Sequence, residues 1–156
     1  MLAKMLGTRL NATSSGKDSL DTVVNESVTG PKSDIGVLAT YNANKTEVAV
    51  LVYNYHDDDL PRPPANISLQ VTQIFWPDGE VSPTHYRIDH SHSNAYTTWL
   101  AMGHPQNPTQ RQYAMLRDTA DLGMLGPPKP VNVRGGSVEI DFELPIHGTS
   151  MITPRR

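Results

Sequence analysis

"VLVYNYHDDDLPRPP", residues 50–64, decides the fold. The apolar run extends back to give "EVAVLVYNY" (47–55), rich in the β-branched and aromatic residues that suit a pleated surface. Val48, Val50, Val52 and Asn54 fall on one face, with Ala49, Leu51, Tyr53 and Tyr55 on the other. Both faces are largely apolar, which predicts a central strand covered on both sides. Pro61, Pro63 and Pro64 then end sheet pairing and expose the chain. Between strand and prolines stand His56, Asp57, Asp58 and Asp59, whose role is the second question.

Working outward, "IGVLATYN" (35–42) reads as a partner strand joined through the polar "NANKT" in a hairpin-like connection. "NISLQVTQIF" (66–75) alternates Ile67, Leu69 and Val71 against Ser68, Gln70 and Thr72, the period of a strand with one wet face. Trp76-Pro77-Asp78-Gly79 supplies a turn, and "PTHYRID" (83–89) reads as a return strand. "KPVNVRGGSVEIDFELP" (129–145) reads as a hairpin about Gly135-Gly136, and "GTSMIT" (148–153) as a closing strand. Two short helices interrupt this pattern near 93–122. "SNAYTTWLAMG" spaces Ala95, Trp99 and Met102 helically before Gly103, and "NPTQRQYAMLRDTADLG" starts at Pro108-Thr109, carries Tyr113, Leu116 and Ala120 along one side, and stops at Gly123. The reading is mainly β: an antiparallel β-sandwich with a two-helix insertion.

The 156 residues suffice for one domain, whose folding would remove roughly 70% of the unfolded chain's surface from water. Thirteen prolines and eleven glycines break the chain into short segments and argue against long helices. The absence of cysteine removes disulfides, thiolate metal sites and a cysteine nucleophile. A net charge of -3 leaves no broad basic field for nucleic acid. No apolar run approaches the roughly 20 residues of a membrane-spanning helix, and "MLAKMLGTRLNATSSG" lacks the pattern of a secretory signal. The expectation is a soluble chain, its compartment open, with no cofactor. Four glycosylation tripeptides, at Asn11, Asn25, Asn44 and Asn66, are read as coincidental in a chain rich in Asn, Ser and Thr.

Three groups of residues have the makings of chemistry: the acids at 56–59, the histidine-rich stretch and the two tryptophans. In an extended chain Asp57 and Asp59 would point the same way about 7 Å apart, but the prolines that follow expose them, and a general acid needs a pKa raised by burial or a like charge. His56-Asp57-Asp58-Asp59 is therefore read as an acidic loop tip or local cap, the alternative being a substrate- or interface-facing contact. It lacks the glycine that a calcium loop needs at its sixth position. His90 and His92 on one strand face, with His85 and Asp89 near, have zinc-ligand character but no closed set, so Asp89, Ser93 or Asn94 capping the following helix is the simpler use. No "GxSxG" and no phosphate-cradling loop occurs. Trp76 and Trp99 are candidate sugar-stacking platforms, although packing is the commoner role of such rings.

Taken in order, "VLVYNYHDDDLP" (50–61), "YRIDHSHSNAYTTWLAMGHPQNPTQRQYAMLRD" (86–118) and "GGSVEIDFELPIHGTSMI" (135–152) resemble the C-terminal portion of family 39 glycoside hydrolases, chiefly bacterial β-xylosidases, with α-L-iduronidase a distant relative. The resemblance implies a (β/α)8 catalytic barrel followed by a β-sandwich packed against it. Residues 1–30 then look like the end of the last barrel helix and an exit strand, with Leu2, Met5 and Leu6 on one side and Gly7 as the stop, and 31–156 like the accessory sandwich. "MLAKMLGTRL" shows no helix start, as if a helix were cut through its middle and Met1 were not a natural beginning.

Family members are retaining enzymes that release xylose with two barrel glutamates, one in an Asn-Glu-Pro context. Neither maps here: the glutamates are Glu26, Glu47, Glu80, Glu139 and Glu143, and Asn25-Glu26 is followed by Ser27. Double displacement needs two carboxyls held about 5 Å apart across the sugar. The implied function is a non-catalytic accessory domain of a β-xylosidase acting on xylo-oligosaccharides, not an enzyme alone. Its implied partners are a barrel in cis or in trans and a second copy through an exposed apolar face, with xylo-oligosaccharide as a further ligand. The alternatives are a stand-alone carbohydrate-binding module, with Trp76, Trp99 or Tyr53 as platforms, and a subunit that complements a separately encoded barrel.

Overall fold

The computed structural model describes residues 1–5, 7–29 and 31–156. The chain is mainly β, with antiparallel pairing throughout and two short α-helices. Strands β1 (Thr8–Leu10), β2 (Asp34–Tyr41), β3 (Val48–Tyr55), β6 (Thr84–Ile88) and β9 (Thr149–Thr153) form one five-stranded sheet in the order β1-β2-β3-β9-β6. β3 lies in its middle, and seven of its eight residues are buried or half-buried, as its two apolar faces require. It pairs with β2 from Asp34 opposite Tyr55 to Tyr41 opposite Val48, so the hairpin read from the sequence is present.

The wet-faced strand is β4 (Ala65–Val71), paired with β8 (Val138–Leu144); β5 (Gly79–Val81) pairs with β7 (Val131–Val133). Side chains from all three sheets meet in one core: Val48, Val50, Val52 and Ile152 with Val71, Val138 and Leu144, and with Val81 and Val133. Opposite the five-stranded sheet there are thus two short ladders rather than one continuous second sheet.

Three local differences from the sequence reading have physical causes. Gly135 and Gly136 do turn the chain, at φ 54° and 70°, but β7 and β8 then diverge into different ladders after a single bridge between Arg134 and Ser137. β6 does not return along β4; it pairs with β9, placing that closing strand between β3 and β6. β1 and β5, three residues each, were too short to leave a periodicity.

Helix α1 (Ala95–Ala101) starts at Asn94, whose side chain accepts the N–H groups of Tyr96 and Thr97. Helix α2 (Gln110–Ala120) starts at Thr109 in a capping box with Gln112. The expected helix end at the N-terminus is a 3-10 turn, Leu2–Lys4; Leu6 lies outside the described residues. The first thirty residues are joined to the sheet by the β1–β2 ladder and by the Ile35 N–H bonded to the Gly16 carbonyl.

Candidate functional site: the acidic loop at the end of strand β3

Where β3 leaves the core its last residues meet the start of β2 and the turn before β9. Asp34, Tyr53, Asn54, Tyr55, His147 and Thr149, with Val23, line an open cleft of about 410 Å³. Asp34 is 3% exposed; its carboxylate accepts the Asp18 N–H at 2.9 Å and the Tyr53 hydroxyl at 3.3 Å. Burial, and then the Asp34 charge beside it, pushes the Tyr53 hydroxyl pKa up. The Tyr53 ring lies across Gly36, where any Cβ would run into it. A strand-interior glycine is therefore the condition for that ring position.

The four loop residues do four different things. His56 is 1% exposed, and its Nδ1 accepts the Asp58 N–H at 2.9 Å, so the imidazole shapes the loop from inside. Asp57 closes a reciprocal pair with Val28: its N–H donates to the Val28 carbonyl at 3.0 Å, and its carboxylate accepts the Val28 N–H. The same carboxylate accepts the Tyr55 hydroxyl. These bonds, from Tyr55 first and Val28 second, hold the Asp57 carboxyl below the usual carboxylate range and raise the Tyr55 hydroxyl. Asp58 faces Arg62 at 3.8 Å, and its carbonyl accepts from His147 Nε2 at 3.3 Å. The Asp59 side chain is 99% exposed, 3.7 Å from His147. An acid whose pKa is depressed is a poor proton donor near neutrality. Asp57 has the chemistry of a clamp.

The histidine-rich stretch is a second polar knot. β6 ends at Ile88, so His90 and His92 lie in a loop rather than on one strand face. Asp89 Oδ1 accepts the Ser91 and His92 N–H groups at 2.7 and 2.9 Å and the His92 ring at 2.8 Å. Burial opposes ionisation of Asp89, but the bonds from His92 and Ser91 outweigh it and lower its pKa. Arg87, 3% exposed, donates to Ser150 Oγ and the Glu143 carbonyl, both at 2.8 Å, and lies 3.3 Å from Asp89. His85 Nε2 sits 2.8 Å from the same Ser150 Oγ; burial, and then Arg87, pushes its pKa down to about 4. Among the described residues no group of three or more His, Asp or Glu side chains is placed to hold a metal ion.

Of the two tryptophans, Trp76 is 7% exposed in the core, with Nε1 on the Lys45 carbonyl at 2.8 Å, so its faces are occupied by protein. Trp99 is half-buried, stacked on Tyr96 with centroids 5.8 Å apart, and its Nε1 donates to the Pro105 carbonyl. The sequence reading passed over Asp34 and His147. Nothing local marks them, since each acquires its surroundings from a distant strand or turn. No described helix is long and apolar enough to cross a membrane.

Residues 1–137 match the family described as "Glycosyl hydrolases family 39". The chain belongs to glycosyl hydrolase family 39. The resemblance read from 50–61, 86–118 and 135–152 therefore points to the right family, whose chemistry is glycoside hydrolysis, although the match ends at 137 and leaves most of the third stretch beyond it. Among solved structures, the family 39 enzyme from Xanthomonas axonopodis pv. citri superposes with a TM-score of 0.63 at 20% identity, over 76% of this chain and 25% of that one. A monomeric β-xylosidase from Caulobacter crescentus CB15 gives 0.58 at 18%, over 76% and 26%. A bacterial orthologue of human α-L-iduronidase gives 0.59 at 20%, over 79% and 22%. At these identities the likeness is one of fold, and this family 39 chain spans about a quarter of the length of each. No curated protein sequence matches it.

Proposed function

We propose that this family 39 chain is the non-catalytic accessory portion of a retaining β-xylosidase acting on xylo-oligosaccharides, working with a (β/α)8 barrel in cis or in trans. On this reading residues 1–30 are the end of the barrel and its exit strand, and 31–156 the accessory sandwich. The observation that carries it is the family match over 1–137 combined with coverage of only about a quarter of the solved family 39 enzymes. Retaining hydrolysis requires two carboxyls about 5–5.5 Å apart with the sugar between them. The described lining of the cleft at the β3 end supplies one, Asp34, and it is 3% exposed with two donors already on it.

In this role the acidic loop braces the exit segment. Asp57 grips Val28, and exposed Leu20, Val24 and Leu60 stand in the exit segment and in the loop, offering apolar area to a docked barrel. The test is hydrolysis of an aryl β-xyloside by the 156-residue chain, alone and with a family 39 barrel added. No turnover alone is expected. Turnover by the chain alone that disappears when one of its own acids is replaced overturns the proposal.

A further inference from the structure

The two-ladder side of the fold ends in an unprotected strand. β4 has β8 on one side, and among the described residues none of its backbone groups bonds to backbone outside that ladder. An antiparallel strand turns alternate N–H and C=O pairs to either side, so half of those of β4 face outward. Proteins blunt such edges with charge, proline, bulges, short length or cover. The other edges here follow that rule: β7 is three residues long, and β8 carries Glu139, Asp141 and Glu143. β1 is three residues long and carries Arg9, and β5 is three residues long and carries Glu80. β6 is covered by the 123–125 segment, whose Leu125 N–H donates to the His85 carbonyl at 2.7 Å. β4, "ANISLQV", has seven residues with no charge, proline or glycine.

A second observation concerns the core beneath it. Ile67 and Leu69 of β4, with Ile140 and Phe142 of β8, pack against the buried cluster yet are only half-buried themselves. Side chains facing a core are left in that state when the sheet lacks its next strand.

We propose that β4 pairs antiparallel with β4 of a second copy of this chain, about a two-fold axis through Ser68. The strand is self-complementary in that register. On the inner face Ile67 meets Leu69 of the second copy and Ala65 meets Val71; on the outer face Asn66 meets Gln70 and Ser68 meets Ser68. No like charges oppose each other across the axis. The acids of β8, Glu139, Asp141 and Glu143, lie one strand back, so the two sets stand three strand spacings apart, roughly 14 Å. That exceeds a Debye length of about 8 Å at physiological salt. A two-fold contact of this kind is closed, and uses up both free edges. One strand pair buries area at the low end for stable complexes, so micromolar association is expected. The inference stands independently of the proposed accessory role.

The chain is suited to a direct test because it has no cysteine. Sedimentation velocity from about 1 to about 100 μM should show a monomer–dimer equilibrium, and Ser68→Glu, which opposes two carboxylates on the axis beside Asp141, should shift it at least tenfold toward monomer. Ser68→Cys should form a disulfide-linked dimer under mild oxidation much faster than Gln70→Cys, whose partner in this register is Asn66. Hydrogen exchange on the unmutated chain should protect outward β4 amides at high concentration and release them on dilution. A chain monomeric at 100 μM, β4 amides whose protection ignores concentration, or equal cross-linking rates at 68 and 70 would each overturn the proposal.

Discussion

Replacing Arg87 tests the buried polar network that ties β6, β8 and β9 together behind the histidine-rich loop. In Arg87→Met the stem volume is largely kept, but the donors to Ser150 Oγ, Asp89 and the Glu143 carbonyl disappear. Breaking one side of a buried ion pair costs about 3–5 kcal/mol. Here the lower figure applies, because Asp89 keeps the Ser91 and His92 N–H groups and the His92 ring, and Ser150 keeps His85. The part-buried Glu143 carbonyl loses its Arg87 donor as well, and a buried carbonyl left unsatisfied costs about 1–3 kcal/mol. A loss of about 3 kcal/mol lowers Tm by roughly 6–12 °C in a domain of this size. Thermal unfolding by circular dichroism reads it, with Arg87→Lys intermediate because an ammonium cannot span three acceptors in one plane. A shift under about 2 °C would refute the view that this guanidinium holds the strands together.

Three further outcomes are expected. His85 has its folded pKa pushed to about 4, below the 6.5 of a free imidazole, so the unfolded chain binds the extra proton. Stability is full above about pH 6.5 and falls as pH drops toward 4, by about 1–2 kcal/mol once partial exposure is allowed for; urea unfolding at pH 7.5 and 4.5 measures this, and His85→Gln should flatten that part of the pH dependence. Asp57→Asn should return the Tyr55 hydroxyl toward its ordinary pKa in an absorbance titration and speed amide exchange at Val28, whereas Asp59→Asn, at a side chain 99% exposed, should do neither. Gly36→Ala places a methyl group in the Tyr53 ring and should cost about 1–3 kcal/mol, and the same change made in a Tyr53→Ala background should cost much less, as measured by denaturant midpoint.

Legibility in the sequence tracked the range over which each feature is determined. β3 was legible because eight residues with two apolar faces can only be a covered strand, and β4 because its alternation is unbroken from Asn66 to Val71. The helix starts at Asn94 and Thr109 were legible because caps act within three residues. The pairing of β6 with β9 was not, since any of several strands satisfies the same alternation. The acidic run is the instructive case. Three adjacent aspartates look alike in a sequence, yet one clamps Val28 and Tyr55, one faces Arg62 and His147 and one meets solvent, because each direction of the turn points at a different part of the fold.

By itself the sequence determined that the chain is β-rich and that β3 runs through its centre, because periodicity, capping and turn chemistry are set by neighbours along the chain; the family 39 resemblance is a separate matter, carried by the residues of 50–61, 86–118 and 135–152 as they stand. Only the tertiary structure decided that Asp34 is buried against Tyr53, that Arg87 sits beneath Ser150, and that β4 has one side without a neighbour. Burial and pairing depend on which distant segment arrives alongside, and that is set by the packing of the whole core.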